Sequence, residues 1–442
     1  MRKVVTYPLE KPADFRFNLL SWASRFEGVC YLNSNTLSNN PSKGYSDFEY
    51  LVAVDPVDEI VIDTKEAFPS LKDFHNNKND WLFGFFSYDL KNEVEDLTSE
   101  NFDGIKMPLM HFFQPKFIFI IKGDEVRIDY LEGFSNREEV NALFEQINIT
   151  KLEVQSSGFD IRLKNRITKE QYLASVHKLK EHIKHGDIYE VNFCQEFYAE
   201  DTEINPLKAY MHLNEISQSP FSCFYRFNDK YLMCASPERF MKKTGQKLIS
   251  QPIKGTIKRG TTREEDEKLM DDLLNNPKER SENVMIVDLV RNDLSRTAKK
   301  GSVRVEELYG IYSFKQVHQM TSTISSELRD DIHFVDAIKN AFPMGSMTGA
   351  PKIRAMELIE QYESTKRGLY SGAVGYITPE GDFDFNVVIR SILYNATEKY
   401  VSFMAGGAIT DKSLPEKEYE ECLLKAKAMF EVLGPKTGEL TG

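Results

Sequence analysis

Gly372-Ala373-Val374-Gly375-Tyr376-Ile377-Thr378, Asp384-Phe385-Asn386-Val387-Val388-Ile389-Arg390-Ser391-Ile392-Leu393-Tyr394-Asn395 and Tyr400-Val401-Ser402-Phe403-Met404-Ala405-Gly406-Gly407-Ala408-Ile409 follow one another closely. Each run is rich in β-branched, aromatic and other apolar residues and reads as a strand. Gly381 and Asn395 mark the breaks between them. Consecutive strands separated by such short breaks pair as hairpins, so an antiparallel sheet is expected rather than a doubly wound one.

Working outward, Ile188 to Tyr198 and a stretch near 221–235 read as further strands. The segment before Ile188 reads as a helix. Thr168 and Gln171 form a capping box, Leu173, Val176, Leu179 and Ile183 keep helical spacing, and Gly186 stops it. Other helices are expected near 264–275, 278–296, 334–341, 350–362 and 416–433. The first 160 residues read as short strands and loops, among them Trp81 to Asp89 and Phe117 to Ile121. The polar Gln155-Ser156-Ser157-Gly158 is the best boundary, dividing an N-terminal region 1–160 from a domain 161–442.

The 442-residue chain is long enough for a large core or two fused layers. Its formal charge of -12 argues against a nucleic-acid binder. No apolar stretch reaches membrane-spanning length and the N-terminus lacks the apolar core of a signal peptide. Five scattered cysteines, with no zinc spacing, read as reduced thiols, and a cytoplasmic location is expected.

Several residues could carry chemistry. Glu279 and Glu282 lie three apart just after Pro277, and Glu418 and Glu421 repeat the spacing after Pro415. Each pair shares a helix face, and two such faces turned together would make a hard oxygen site suited to Mg²⁺. Two plainer readings stay open: acids in a first helical turn stabilise the helix dipole, and Glu421 can pair with Lys425 one turn on. Arg390 in an apolar run calls for an anion, either a substrate carboxylate or an acidic side chain. Gly406 and Gly407 leave backbone N–H groups open to a carboxylate, and Tyr376 could donate its hydroxyl. Glu238 ends a strand, where an acid can serve as a general acid. Gly345 to Lys352 has the wrong spacing for a phosphate loop and reads as a tight turn into a helix.

Ser236-Pro237-Glu238-Arg239-Phe240, Pro252-Ile253-Lys254-Gly255-Thr256, Met285 to Leu294, Thr348-Gly349-Ala350-Pro351-Lys352 and the final glutamate helix stand in that order. Together they resemble the chorismate-utilising enzymes over roughly 165–435, with a looser match at Phe85-Phe86-Ser87-Tyr88-Asp89. The resemblance implies an α+β fold in which two antiparallel sheets pack face to face with helices outside. Members that form aminodeoxychorismate read Pro-Ile-Lys-Gly-Thr where anthranilate-forming members usually read Pro-Ile-Ala-Gly-Thr. It therefore implies amination of chorismate on the way to 4-aminobenzoate and folate, with ammonia from a separate glutamine amidotransferase.

By the same resemblance Glu282 and Glu421 would bind Mg²⁺ directly, with Glu279 and Glu418 acting beside them through water. Arg390 and Tyr376 would hold the enolpyruvyl carboxylate. Gly406, Gly407 and Lys425 would add donors, Thr348 and Gly349 would line the pocket, and Thr256 belongs to the same substrate-binding set. Glu238 would protonate the departing hydroxyl, and Lys254 would attack the ring to form a covalent adduct. Lys254 must then be neutral, and burial beside Mg²⁺ is expected to favour that form. Anthranilate-forming members carry a histidine that assists loss of pyruvate. Alignment on Ser322 puts Gln319 there, with His318 one place off. Isochorismate-forming members carry a water-activating lysine where Glu190 stands. The alternatives are anthranilate synthesis, then isochorismate synthesis, then an inactive scaffold for the amidotransferase. Leu19-Leu20-Ser21 only partly echoes the segment of tryptophan-inhibited members, so such inhibition is not expected.

Overall fold

In the computed structural model, which describes residues 1–35, 48–150, 159–315 and 317–434, two long strands carry the architecture. Tyr50–Ile62 and Met110–Lys122 pair antiparallel, from Tyr50 opposite Ile121 to Ile62 opposite Met110. Successive side chains point to opposite faces. Val52, Val54, Phe117 and Phe119 enter one core, and Leu51, Ala53 and Ile118 enter another. Midway, Pro56 faces Pro115 and the register slips. Proline cannot donate to the ladder and the extra residue turns the strands, so the sheet changes direction there. Residues 117–122 pair with Glu125–Leu131, whereas residues 110–113 pair with Leu82–Phe86.

The strands thereby feed two layers. The first continues through Gly28–Asn33, Phe221–Phe227, Lys230–Ser236, Ser391–Asn395, Tyr400–Ile409 and Glu190–Ala199. The second continues from Leu82–Phe86 through Ala373–Ile377, Phe383–Asn386, Arg239–Thr244 and Lys247–Gln251 to Val317–Glu327. Val317–Glu327 also pairs with Ile253–Lys258 and Arg304–Ser313. All these pairings are antiparallel. The layers meet through aromatic rings, with Phe85 of the second 5.4 Å from Tyr225 of the first. The outer face of the first layer is buried under helices that include Pro12–Ala23, Lys169–His185, Pro206–Ser217 and Pro415–Leu433. Ala67–Lys78, Pro277–Ser295 and Phe334–Ala341 pack into the other core. The α+β architecture and its hairpins at Gly381 and after Asn395 match the expectation.

Several boundaries differ. The run 384–395 is not one strand. It leaves the second layer after Asn386 and enters the first at Ser391, and Arg390 takes a φ of 50° at the crossing. The stretch 221–235 is a hairpin of two strands turning at Asn228. The first 160 residues hold helices as well as strands, among them Pro12–Ala23, Ala67–Lys78 and Arg137–Ile149. The last was legible, because Asn136 caps it and Val140, Leu143 and Ile147 line its buried face. The boundary at Gln155-Ser156-Ser157-Gly158 lies outside the described residues. All five cysteines are buried and free. No helix among the described residues is long and apolar enough to cross a membrane.

Gly84 and Gly375 face each other across paired strands where the second layer is tightest. A Cβ on Gly84 would stand 2.1 Å from the His111 carbonyl oxygen, and one on Gly375 2.0 Å from that of Asp384. Both obstacles are backbone and cannot rotate away. Gly84→Ala and Gly375→Ala are each expected to destabilise by about 1–3 kcal/mol, read as a lowered urea unfolding midpoint.

Candidate active site

Two crossings between the layers place the first pair of groups. Ser236 ends a first-layer strand and Arg239 begins a second-layer one, so Glu238 sits in the step between them. Arg390 sits in the return step. The two steps are tied together: Val387 N–H donates to the Glu238 carbonyl at 3.0 Å and Ala235 N–H to that of Arg390 at 3.2 Å. Burial pushes the Glu238 carboxyl up to about 7. Burial likewise lowers Arg390 to about 10, with Glu238 opposing. The Arg390 guanidinium has no hydrogen-bond or ion-pair partner among the described residues, so it is available to an anion.

Lys254 begins the next feature. Strand Ile253–Lys258 slips register between Ile253 and Thr256, and Gly255 takes a φ of 97° there, a conformation that costs glycine little. A Cβ on Gly255 would lie 3.1 Å from a Glu279 carboxylate oxygen, so the glycine also lets the acidic helix approach. Lys254 is 8% exposed, and its ammonium donates to Glu190 Oε1. Burial draws Lys254 down, but the carboxylates of Glu190, Glu282 and Glu238 outweigh it and the net shift is upward. Burial does favour the neutral amine, as expected, but the surrounding acids, which the sequence did not reveal, reverse the net effect.

The two acidic helices do turn toward each other. Asn276 caps Pro277–Ser295, accepting from the Lys278 and Glu279 N–H groups. The Lys278 ammonium lies 3.7 Å from Glu282 Oε1 and 3.5 Å from Glu418 Oε1. Burial pushes Glu282 up to about 7, and its Oε1 is buried with no hydrogen-bond donor. Glu421 does pair with Lys425, at 2.7 Å, and is held below its ordinary value chiefly by that charge. Lys425 also donates to the Gly406 carbonyl at 3.1 Å, and the open face of Gly407 looks onto Glu421 and Lys425.

A hard cation fits this donor set. The groups are carboxylate oxygens from two helix faces, one of them buried and orphaned, and an ammonium already lies between them. Among the described residues no three acids, histidines or cysteines stand close enough to share an ion. Glu279, Glu282, Glu418 and Glu421 are the residues that would hold it.

Thr348 and Gly349 support the site from below. The Asn192 N–H donates to the Thr348 carbonyl at 2.8 Å, and Gly349 and Ala350 pair with Val191 and Glu190. The Thr348 hydroxyl points at backbone carbonyls of its own turn. Lys352 is no phosphate ligand: it donates to Asp293 at 2.6 Å. Thr256 lies past the bulge with its side chain exposed. Tyr376 is not brought to Arg390. Its ring packs against Trp81 at 5.5 Å and lines a separate pocket with Arg239, Asp384 and Phe221. Tyr370, in the same segment, was missed. Its buried hydroxyl lies 3.5 Å from Cys194 Sγ, on the residue paired with Gly406. Two tyrosines six apart could not be told apart without the sheet. His318 faces away, bound to Asp266 at 2.8 Å and to Ser313 at 2.8 Å. Lys278 and Glu190 were also missed as members of the charge cluster.

Comparison with known proteins identifies the family and the fold. The family model described as chorismate binding enzyme matches residues 33–431. Aminodeoxychorismate synthase component 1 of Bacillus subtilis (strain 168) is 34% identical over 361 residues, 79% of this chain and 76% of that relative. Anthranilate synthase component 1 of Aquifex aeolicus (strain VF5) is 35% identical over 376 residues, 80% of this chain and 74% of the relative. The crystal structure of anthranilate synthase component I from Streptococcus pneumoniae TIGR4 superposes with a TM-score of 0.76 at 28% identity, covering 89% of this chain and 93% of that one. A buried lysine among acids contributed by two helix N-termini, held by a double-layered antiparallel sheet, is thus the setting in which this chain belongs to the chorismate binding enzyme family.

Proposed function

We propose that this chain aminates chorismate to 4-amino-4-deoxychorismate, using ammonia from a glutamine amidotransferase partner, and so serves 4-aminobenzoate and folate synthesis. The carrying observation is Lys254, a buried amine where anthranilate-forming members usually have alanine. The turning away of His318 supports the same reading, since a base for pyruvate loss is then missing from that position. Relatives of both kinds are similarly close, so the choice rests on these residues.

Arg390 would take the enolpyruvyl carboxylate, and the backbone at Gly406 and Gly407 with Lys425 would add polar contacts. Mg²⁺ held by Glu279, Glu282, Glu418 and Glu421 would bind the ring carboxylate and draw electrons toward it. Glu238, neutral up to about pH 7, gives its proton to the departing hydroxyl on the fourth ring carbon. Lys254 bonds to the second ring carbon as that water leaves. Ammonia then adds at the fourth carbon and the lysine departs.

Purified protein given chorismate and an ammonium salt is expected to release aminodeoxychorismate without pyruvate; anthranilate with pyruvate is the outcome that sinks this reading. Lys254→Ala should lose at least about a hundredfold in kcat at physiological ammonia, as the covalent route closes. At constant free ammonia, the rate should fall about tenfold per pH unit above about pH 7, as the raised Glu238 carboxyl ionises, and Glu238→Gln should lose that dependence. Mg²⁺ should raise the unfolding temperature progressively with its concentration, in the parent and in Lys254→Ala, but not in Glu282→Gln.

A further inference from the structure

We propose that Glu190 is the base that removes the ammonium proton of Lys254 and returns it when the lysine leaves. The inference rests on the amination reading above. A lysine ammonium has no lone pair, so the attack needs a proton acceptor in contact with it. Glu190 is that acceptor: it is 4% exposed, and the Lys254 ammonium is its only hydrogen-bond donor among the described residues. The other carboxylates that act on Lys254 are Glu282, Glu238, Glu279 and Glu421. Glu238 must keep its proton for the departing hydroxyl, and Glu282, Glu279 and Glu421 belong to the cation face, so Glu190 alone is in hydrogen-bond contact and unassigned.

The backbone holds Glu190 firmly. It opens strand Glu190–Ala199 and pairs with Ala350, while the Tyr189 N–H donates to the Ala350 carbonyl at 2.7 Å. Gly349 permits that approach, since a Cβ there would lie 2.1 Å from the Glu190 carbonyl oxygen. The carboxylate is therefore presented to Lys254 by two paired strands rather than by a loop.

The proton account closes. The proton on Nζ moves to Glu190 Oε1, leaving a neutral amine and a neutral acid. The nitrogen lone pair forms the bond to the second ring carbon, the two ring double bonds shift, and the hydroxyl leaves as water with the proton of Glu238. The adduct nitrogen gives its extra proton to Glu238. Ammonia bonds to the fourth carbon, the double bonds shift back, and the Nζ–carbon bond breaks. The departing nitrogen takes the proton held by Glu190. The new ammonium on the product gives one proton to Lys254, restoring the starting state.

The test is Glu190→Gln in the full chain, with chorismate, ammonium chloride and Mg²⁺. The adduct on Lys254 is followed by mass spectrometry in a single turnover, and kcat and KM are measured alongside. Adduct formation and kcat should fall about 10²- to 10⁴-fold with KM for chorismate little changed. In the absence of chorismate, acetic anhydride should label Lys254 faster in Glu190→Gln than in the parent, because the acid that holds its charge is gone. Glu190→Asp keeps a carboxylate and should retain more than about ten times the rate of Glu190→Gln. Adduct formation in Glu190→Gln as fast as in the parent overturns the role of Glu190 and leaves the amination reading standing, as does equal loss in the Gln and Asp variants. No adduct on Lys254 in the parent overturns both.

Discussion

Lys254, Lys278 and Lys425 stand among Glu190, Glu238, Glu279, Glu282, Glu418 and Glu421, and this enclosed charge balance is what the rest of the structure has to hold. A buried charge left without a partner costs several kcal/mol, so these groups are tolerable only together. They come from a strand start, a layer crossing, a bulged strand and the first three turns of two helices. Helix N-termini suit Glu279 and Glu418, which lie in first turns where their charge meets the positive end of the dipole. The lysines keep the acids from repelling one another apart. The same balance explains why Lys254 is charged at rest and why catalysis by it needs a neighbouring base.

Beneath this cluster two buried pairs act as struts. Arg367 is 3% exposed and binds Glu363 through two nitrogens, at 2.6 and 2.9 Å. It also donates to the Met347 carbonyl at 2.6 Å and the Asn192 carbonyl at 2.8 Å, joining the Thr348 turn to the strand that carries Glu190. Glu363 in turn accepts from the Cys194 N–H at 2.9 Å. Lys352 and Asp293 join the same turn to the acidic helix Pro277–Ser295. Breaking one partner of such a pair costs about 3–5 kcal/mol, so the struts fix the floor on which the reacting groups stand. Two stretches of the sequence signature, Thr348 to Lys352 and Met285 to Leu294, are thereby explained as scaffold joined across the site.

Much of this was readable along the chain. The hairpins at Gly381 and Asn395, the capping box at Thr168 and the two Glu-x-x-Glu pairs behind prolines are local patterns, set by periodicity and turn chemistry. Lys254 was picked out by its motif, and its burial followed. The misses around Arg390 and the tyrosines were of one kind. The run 384–395 is apolar throughout, so nothing in it marked the point where the chain leaves one layer for the other and turns Arg390 toward Glu238. Tyr376 and Tyr370 share one segment, and which of them reaches Cys194, the neighbour of Gly406, depends on where the strand starts.

The sequence by itself determined the antiparallel class, the acids at two helix starts and the lysine between Ile253 and Gly255, because each depends on residues within a few positions of one another. Only the tertiary structure decided that Glu190 touches Lys254, 64 positions away, that Lys278 lies between Glu282 and Glu418, and that His318 is turned to Asp266. Those outcomes depend on strand register and on the crossing between layers, where a shift of one residue sends a side chain to the opposite face.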